Sequence, residues 1–461
     1  MQQYTQHNKK FILAACGSCI ALAATGAQAQ SIRLASVHAV RFVSAHNEQG
    51  GLLVTPSPDL PESCGLTGTW FEAVGSIGSN ILATGARAVS PDGNVVVGWM
   101  MSPSQVPGGE PMSHPFIWTP CGGMQEMLEE IPGVAGGSAI SVSTGGQVVV
   151  GITFGQSPIG YKQLSRTTTD VVLDMDSGFA TSATSVSADG TVMVGSASDL
   201  LGRQAYIHTS GWQGVVALGD LLGGAGWSDA YAVSAHGDAV AGQALSSQGP
   251  QAFVWTPQEG MVGLGDLPGG AFESSASAIS ANGSAIVGVG QTASGGRAFR
   301  WTAQSGMVAL GDLAGGDQAS EALAISGNGA IVVGRSMTAA GFEAFIWDAT
   351  RGMQRVEDVL ASTLAYDFPD WILTAANGIS SDGSVIVGTG INPDGFAQGW
   401  VAHIPVTHCE ADYNNDGASN TGDYFAFLRD FFTGTADING DGETDSQDFF
   451  AFFTAFFTGC E

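Results

Sequence analysis

The chain has little positive charge. It contains 14 Lys and Arg residues against 42 Asp and Glu residues, which gives a formal net charge of −28. Proteins that bind nucleic acids or anionic lipid surfaces use Lys and Arg to neutralise negative charge, so this balance argues against both partners. Charged residues make up only 12% of the chain and hydrophobic residues 44%. The composition therefore excludes a charged disordered chain and predicts a folded protein with a large core.

Long hydrophobic runs are also missing. After the N-terminal segment, no stretch approaches the ~20 apolar residues that span a bilayer, so we expect no membrane insertion. The N-terminal segment has two lysines, an apolar run over residues 11–24 and the triplet Ala27–Ala29. This order predicts a signal peptide over residues 1–29 and an extracellular or cell-surface protein, with the periplasm as an alternative. Residues 13–16 resemble a lipoprotein box, but the apolar run before them is short for an export signal.

Glycine, in contrast, is abundant, with 67 residues, and much of it belongs to a repeat. Each copy has an apolar residue, a serine, a turn that ends in glycine and a β-branched run closed by a second glycine. The closing glycines recur every 44 to 54 residues. This spacing is typical of one four-stranded propeller blade. The seven copies are Val89–Gly98, Val142–Gly151, Val186–Gly195, Val233–Gly242, Ile279–Gly288, Ile325–Gly334 and Ile379–Gly388.

The sequence therefore predicts a mainly β protein whose residues 67–406 form a seven-bladed β-propeller, preceded by an N-terminal arm over residues 30–66. The last copy has sequence for three strands only, ending near Pro405. Trp70–Gly78 aligns with the fourth strands of the other copies, such as Met307–Leu313. We expect this N-terminal strand to complete the last blade, because closing the ring removes open sheet edges.

Three recurring phrases carry a family resemblance. They are AISANGSAIVG (residues 278–288), QAFVWT (251–256) and MVALGDL (307–313). These phrases resemble the extracellular HAF repeats, with the His-Ala-Phe triplet changed to QAF, RAF or EAF. The resemblance covers residues 84–403. It implies secretion, but it supplies no reaction and no catalytic residues.

Two segments near the C-terminus have the ligand order of a calcium loop. Residues 412–423 and 437–448 match each other at an offset of 25 positions and place oxygen donors at loop positions 1, 3, 5, 7, 9 and 12, with glycine at 6. Ca²⁺ takes six to eight oxygen ligands in this order, so we expect two calcium ions. The predicted ligands are Asp412, Asn414, Asp416, Ala418, Asn420 and Asp423, and Asp437, Asn439, Asp441, Glu443, Asp445 and Asp448.

A loop followed by one apolar helix, present twice and with Asp at position 12, resembles the dockerin module. The terminal Gly459-Cys460 is similar to the GC-type variant of this module. The resemblance places a dockerin-like domain at residues 407–461 and implies a cohesin-like protein partner. Loop positions 10 and 11, Thr421-Gly422 in the first loop, depart from the residues by which many dockerins select their cohesin. The spacing of Phe425, Leu428 and Phe432 predicts that these three side chains form one buried helix face.

Four cysteines follow the predicted signal peptide, and an even number in an oxidising compartment predicts two disulfides. We expect Cys409 to pair with Cys460, which would join the two ends of the dockerin-like domain. Cys121 lies before the fourth strand of the first blade, and Cys64 lies before the strand that completes the last blade. If those blades are neighbours, Cys64 and Cys121 form the second pair.

Other recurring side chains have structural interpretations. We expect the tryptophans of the third strands, Trp118, Trp255, Trp301 and Trp347, to pack in the core, and Asp220, Asp266 and Asp312 to bind turn amides. The histidines at 46, 114, 208, 236, 403 and 408 show no metal-binding spacing. The sequence offers no catalytic pair, and it favours a secreted, non-catalytic binding or structural protein with an unknown propeller ligand. The alternative is a glycoside hydrolase of a dockerin-linked polysaccharide-degrading complex.

Overall fold

The computed structural model describes most of the chain from Gly68 onwards. The described residues are 11–14, 23–24 and 41–44 (backbone only), 68–75, 80–104, 109–127, 136–154, 160–164, 181–199, 202–209, 215–224, 226–364, 370–405, 411, 413, 421–433, 436 and 444–458. Within these residues, none of the helices is long and apolar enough to cross a membrane.

The chain divides into two compact units. One comprises Met1–Thr67 and Thr119–Gly123, and the other Gly68–Trp118 and Met124–Glu461. In the first unit, three short strands form an antiparallel sheet in the order β2-β1-β3: β1 (Phe11–Ala14), β2 (Ala23–Ala24) and β3 (Arg41–Ser44). Apart from these strands, the predicted signal peptide and N-terminal arm lie outside the described residues.

The second unit is a β-propeller built from antiparallel sheets whose strands follow one another along the chain. After β4 (Trp70–Val74), the strands of the first four sheets are β5 (Ala83–Val89), β6 (Val96–Ser102), β7 (Met112–Thr119) and β8 (Gly123–Glu126); β9 (Gly136–Val142), β10 (Val148–Phe154) and β11 (Gly160–Leu164); β12 (Thr181–Val186), β13 (Val192–Asp199), β14 (Gly202–Thr209) and β15 (Val216–Ala217); and β16 (Ser228–Val233), β17 (Val240–Leu245), β18 (Pro250–Thr256) and β19 (Gly260–Gly263).

The remaining sheets follow the same plan. Their strands are β20 (Ser274–Ile279), β21 (Ala285–Thr292), β22 (Gly295–Thr302) and β23 (Gly306–Ala309); β24 (Ser320–Ile325), β25 (Val332–Thr338), β26 (Gly341–Asp348) and β27 (Gly352–Arg355); and β28 (Ile372–Ile379), β29 (Val385–Ile391) and β30 (Ala397–His403). Helix α1 (Val356–Thr363) follows β27, and helices α2 (Thr421–Thr433) and α3 (Ser446–Thr458) follow the propeller.

The described residues form six four-stranded blades, not the seven that the repeat count predicts. The copy that contains Val142–Gly151 forms a three-stranded sheet, β9 to β11, in the described part of the chain. The sequence supplies a reason. Four of the other fourth strands begin at a glycine with positive φ, as at Gly260 and Gly306, with φ of 70° and 66°. Residues 161–177 contain no glycine to make the corresponding turn.

The N-terminal strand completes the last blade, as the sequence predicts. Strand β4 pairs antiparallel with β30, from Trp70 opposite His403 to Val74 opposite Gly399, and the sheet has the order β28-β29-β30-β4. The first and last parts of the propeller are thereby joined by backbone hydrogen bonds. Strand β4 covers the edge of β30 that would otherwise be unpaired from Gly399 to His403.

The closing glycine of the repeat fits a bulge in the first strand of the same sheet. In the fifth copy, Ala276 pairs with Gly288 and Ala278 with Val287, so that Ser277 is the extra residue. A Cβ atom added to Gly288 would lie 1.9 Å from the backbone oxygen of Ser275. The bulge brings this carbonyl too close for any side chain, which is the reason for glycine at this position.

Backbone hydrogen bonds also join the turns of successive sheets. The residue after the repeat's serine donates its N–H to the carbonyl of the equivalent residue in the next sheet, and six such bonds run from Thr144 to Pro91. Pro91 has no N–H to continue the series; there, Gly145 donates its N–H to Asp92 Oδ2 at 3.2 Å. The bonds are Thr144 to Ala188 (2.9 Å), Ala188 to Ala235 (3.0 Å), Ala235 to Ala281 (3.0 Å), Ala281 to Gly327 (2.9 Å), Gly327 to Ser381 (2.8 Å) and Ser381 to Pro91 (2.9 Å).

The core lies between neighbouring sheets. The aromatic residue in the middle of the third strand of each four-stranded sheet, such as Phe253 in β18 or Phe299 in β22, is fully buried. Trp118 is also buried, and the three other recurring tryptophans pack against the core clusters of their blades, as the sequence predicts. Helix α1 adds Val356 and Leu360 to the core beside the last blade.

Candidate functional sites

Helices α2 and α3 repeat the 25-residue offset of the predicted calcium loops. Asp423 and Asp448, which occupy loop position 12, both lie in the first turn of their helix and are fully buried. The backbone N–H of Asp445 donates to Asp448 Oδ2 at 2.8 Å, and Asp445 Oδ1 accepts the N–H of Gln447 at 2.6 Å. Carboxylates at a helix N-terminus are favoured by the helix dipole.

The other predicted calcium ligands lie outside the described residues. Among the residues that the structure does describe, no group of three or more His, Cys, Asp or Glu side chains could hold a metal ion. Two buried carboxylates at matching loop positions are the kind of oxygen ligands that a hard cation such as Ca²⁺ takes. The prediction of two calcium ions stays a prediction. The ligands outside the described residues are Asp412, Asn414, Asp416, Ala418, Asn420, Asp437, Asn439, Asp441 and Glu443.

The two helices pack through equivalent residues. The rings of Phe427 and Phe452, which are 25 positions apart, stack with their centroids 4.2 Å apart and their planes 13° apart. Tyr413 packs edge-on against both rings, at centroid distances of 5.5 and 5.9 Å. Ala436, which precedes the second predicted loop, is buried in the same cluster, and Ala411, which precedes the first, is also fully buried. The pair thus has the internal symmetry that the sequence repeat indicates.

The prediction that Phe425, Leu428 and Phe432 form one buried face is wrong. Phe425 and Phe432 are 67% and 80% exposed, and only Leu428 contributes to the packing between the helices. The buried stripe of α2 runs instead through Asp423 and Phe427. Because aromatic residues occur all round each helix, apolar spacing alone did not indicate which stripe faces the neighbouring helix.

The equivalent residues of α3 are exposed to the same extent. Phe450 and Phe457 are 67% and 78% exposed, which matches Phe425 and Phe432 at the 25-residue offset. Four large aromatic side chains therefore lie on the solvent-facing sides of two short helices. We call these four residues the phenylalanine surface. Exposed apolar side chains in such number mark an interaction site more often than a free surface.

One of the predicted disulfide residues is described. Cys121 is disulfide-bonded, and it is the only cysteine among the residues that the structure describes. Cys64, Cys409 and Cys460 lie outside those residues. The pairings Cys64–Cys121 and Cys409–Cys460 therefore stay predictions.

His114, His403 and Asp266 have structural partners. His114 lies 2.8 Å from Glu126 and 3.0 Å from the hydroxyl of Ser102. His403 stacks on Trp70, with ring centroids 5.8 Å apart. Asp266 accepts the backbone N–H groups of Leu267 and Glu273, at 2.8 and 2.9 Å, as predicted for the recurring corner aspartates. Asp312 instead lies 3.2 Å from Arg297 Nε, and Asp220 Oδ1 is buried without a hydrogen-bond partner among the described residues, so the prediction holds for Asp266 alone. His46 and His408 lie outside the described residues.

A cavity of about 530 Å³ lies among the first strands of all the propeller sheets. Each first strand contributes the residue that its bulge leaves unpaired, and these residues differ in chemistry from sheet to sheet. The alanine before each of them is fully buried. The seven bulge residues are Arg87, Ile140, Thr184, Tyr231, Ser277, Leu323 and Asn377.

Sequence reasoning missed this cavity. The signal is nevertheless present in the phrase Ala-x-small-Val/Ile-Ser, which reads ARAVS, AISVS, ATSVS, AYAVS, ASAIS, ALAIS and ANGIS along the chain. Its second position varies while the flanking residues stay small. The sequence does not show that this position faces an axial cavity, because that depends on the bulge.

No protein-family profile and no curated protein matches the chain. Among solved structures, it is similar to TolB from Acinetobacter baumannii, with a TM-score of 0.41 and 16% identity over 57% of this chain and 63% of that one. A protein assigned as TolB from Agrobacterium tumefaciens gives a TM-score of 0.34 and 14% identity over 87% of this chain and 100% of that one. The chain thus spans less than two thirds of the length of the first of these structures. At this level of similarity, neither structure informs the function.

Proposed function

We propose that the protein is a secreted, non-catalytic binding protein that is held in an extracellular or cell-surface assembly by its C-terminal domain. In this proposal residues 407–461 bind two calcium ions and dock onto a cohesin-like receptor, while the propeller presents a separate binding surface. The three-stranded sheet β9 to β11 then occupies the seventh blade position. The observation that carries the proposal is the equal burial of Asp423 and Asp448 at the starts of two helices that match at the same offset.

The placement of these two carboxylates supports calcium binding. Burying a carboxylate is costly, and a divalent cation bound beside it offsets part of that cost. Tyr413, one residue after predicted ligand Asp412, packs against Phe427 and Phe452. Binding of calcium in the loop would thereby be coupled to the packing of the helices, since the loop and the aromatic cluster share this segment of chain.

The phenylalanine surface supports docking of a protein partner. Its four rings carry apolar area that water solvates poorly, and burying aromatic side chains is a major source of binding free energy at protein interfaces. The chain's low content of positive charge argues for a partner that offers apolar and backbone contacts instead of phosphate or acidic groups. A cohesin-like receptor satisfies this requirement, and the resemblance of the C-terminal domain to dockerins points to it.

The test is receptor capture by the full-length protein. Purified cohesin domains of several types are added to the immobilised protein, once in calcium and once in excess chelator. Binding is followed by interferometry. At least one type should bind, and only in calcium. Replacing Phe432 and Phe457 together by Ser should weaken capture by about tenfold or more, because two anchors are lost.

The matched control replaces exposed Phe396, which is 49% exposed and lies in a propeller loop outside the phenylalanine surface, by Ser. This variant should bind the receptor as the unmodified protein does. Capture that is equally strong in chelator, or that the double Phe variant leaves unchanged, would count against the proposal.

A further inference from the structure

The ring of bulge residues around the axial cavity contains one charged side chain, Arg87. The other members are apolar residues, hydroxyl residues and one amide. The side chain of Arg87 makes no ion pair or hydrogen bond with any other residue that the structure describes. Other arginines of the propeller form ion pairs outside the cavity lining, as Arg203 does with Asp229.

The surroundings of Arg87 are neutral. The cavity lining includes no Asp or Glu residue. The side chain is accessible from the cavity, yet the strands around it exclude enough water to lower its pKa by desolvation. The guanidinium keeps its charge at neutral pH because the ordinary pKa of arginine lies far higher. Arg87 is an exposed residue on the cavity side, and a guanidinium without an ion-pair partner there can pair with an anion that enters the cavity.

Hydrogen-bonding groups accompany the cation around the ring. Asn377 lies on the strand next to that of Arg87 and donates its amide to Ala86 O at 2.8 Å. Thr184, Tyr231 and Ser277 contribute hydroxyl groups from three other strands. Burial, followed by the charge of Asp229, raises the pKa of Tyr231 to about 12, so its phenol stays protonated. The phenol donates to Asp229 Oδ2 at 3.5 Å, which leaves its oxygen as an acceptor toward the cavity. A volume of about 530 Å³ lies within the usual range of sites for small molecules.

We propose that the axial cavity binds a small hydroxylated carboxylate of the sugar-acid kind, with Arg87 pairing with the carboxylate and the hydroxyl side chains of the ring contacting the ligand's hydroxyls. A guanidinium presents its N–H groups in a plane that matches both oxygens of a carboxylate, which gives the pair its strength and orientation. The bulge position determines specificity, because the framework around it is constant while its residue differs in each sheet.

This inference concerns the propeller and does not depend on calcium or on docking. Arg87 lies on β5 in the propeller, whereas the proposed docking function rests on residues after 406. The proposal for the cavity and the proposal for the C-terminal domain can therefore be disproved independently.

The experiment is a calorimetric titration of the full-length protein, in excess chelator, with three compounds. D-galacturonate carries both the carboxylate and the ring hydroxyls, D-galactose carries the hydroxyls without the carboxylate, and acetate carries the carboxylate alone. We expect galacturonate to bind saturably at one site, and each of the other two to bind at least about tenfold more weakly.

Arg87→Leu is the decisive variant, because the equivalent position of another sheet already holds Leu323 and the backbone therefore accepts this side chain. It should weaken galacturonate binding by about tenfold or more and leave galactose binding unchanged. Arg87→Lys should give an intermediate affinity, since lysine keeps the charge without the planar pair of donors. Arg351→Gln, which removes an exposed arginine paired with Asp348, is the control and should bind as the unmodified protein does.

Melting temperatures of the variants establish that each is folded. Absence of saturable galacturonate binding at millimolar concentration would overturn the proposal. It would also be overturned if Arg87→Leu bound galacturonate as tightly as the unmodified protein, or if acetate bound as tightly as galacturonate, since the hydroxyl contacts would then contribute nothing.

Discussion

The buried hydroxyl of Thr84 accepts a hydrogen bond from the backbone N–H of Gly399, 2.9 Å away and 315 positions later in the chain. The same hydroxyl donates to the backbone oxygen of Val74 at 3.1 Å. One side chain of the first blade thus binds both outer strands of the last blade, β30 and β4. A second side chain, Asn377, crosses the same boundary to Ala86.

Replacing Thr84 by Val should destabilise the propeller. Valine has nearly the same shape but cannot bond Gly399 or Val74, and an unsatisfied buried polar group costs about 1–3 kcal/mol. We expect a loss of that size in the free energy of unfolding, measured by urea denaturation. Thr350→Val, at an exposed turn, is the control. Equal stability of the two variants would contradict the role of Thr84.

Removing the N-terminal strand should open the ring. Deletion of residues 67–79 takes away β4 and leaves the backbone donors and acceptors of β30 without their partner strand. An open edge pairs readily with another chain. We expect a large drop in melting temperature and the appearance of oligomers in size-exclusion chromatography. A monomeric deletion variant with an unaltered melting temperature would show that β4 does not close the propeller.

Gly288→Ala should be strongly destabilising although it adds only one methyl group. The new Cβ would lie 1.9 Å from a backbone oxygen, which cannot move without disturbing the bulge. Overpacking of this kind costs about 1–3 kcal/mol or more. Gly296→Ala in the same blade meets two side-chain atoms, Val289 Cγ2 at 3.2 Å and Gln291 Nε2 at 3.8 Å, and no backbone atom, so it should change stability much less. Urea denaturation of the two variants side by side measures the difference.

Calcium removal should unfold the C-terminal helices and spare the propeller. The predicted loops carry acidic side chains that repel one another when empty, and binding free energy becomes folding free energy in so small a domain. We expect excess chelator to abolish the helical circular dichroism of α2 and α3. Asp423→Asn with Asp448→Asn should do the same in calcium, whereas exposed Asp358→Asn should not. Helical signal that persists in chelator would exclude this coupling.

Glu72 in β4 should make the protein less stable as the pH rises. Partial desolvation raises the pKa of Glu72, whose side chain is still exposed in part, so the folded state holds its proton somewhat more tightly than the unfolded state does. Stability is then greatest below the ordinary glutamate pKa of about 4.3 and falls as the pH rises through the raised folded pKa. Glu72→Gln should therefore have the higher melting temperature at pH 7, and this advantage should shrink near pH 4. Glu259→Gln, in an exposed turn, is the matched control.

Much of the fold follows from local sequence. The turn glycines, the β-branched runs and the spacing of the repeat predict antiparallel sheets of about one blade each, and the alignment of Trp70–Gly78 with other fourth strands predicts the closure that the structure has. These features depend on residues close together in the chain, whose backbone angles and hydrogen bonds are largely decided by their neighbours. The described sheet β9 to β11 has three strands, and residues 161–177 lack the turn glycine that begins other fourth strands.

Other features were decided only by the tertiary structure. Sequence spacing indicated Phe425 and Phe432 as buried, but the partner helix lies against Phe427. Likewise, nothing in the phrase ARAVS shows that Arg87 faces a cavity. Which residues meet depends on closure of the ring. Closure brings together residues more than 300 positions apart in the chain, such as Thr84 and Gly399. Burial and desolvation are properties of that closed assembly, because they arise from neighbours that the local sequence does not contain.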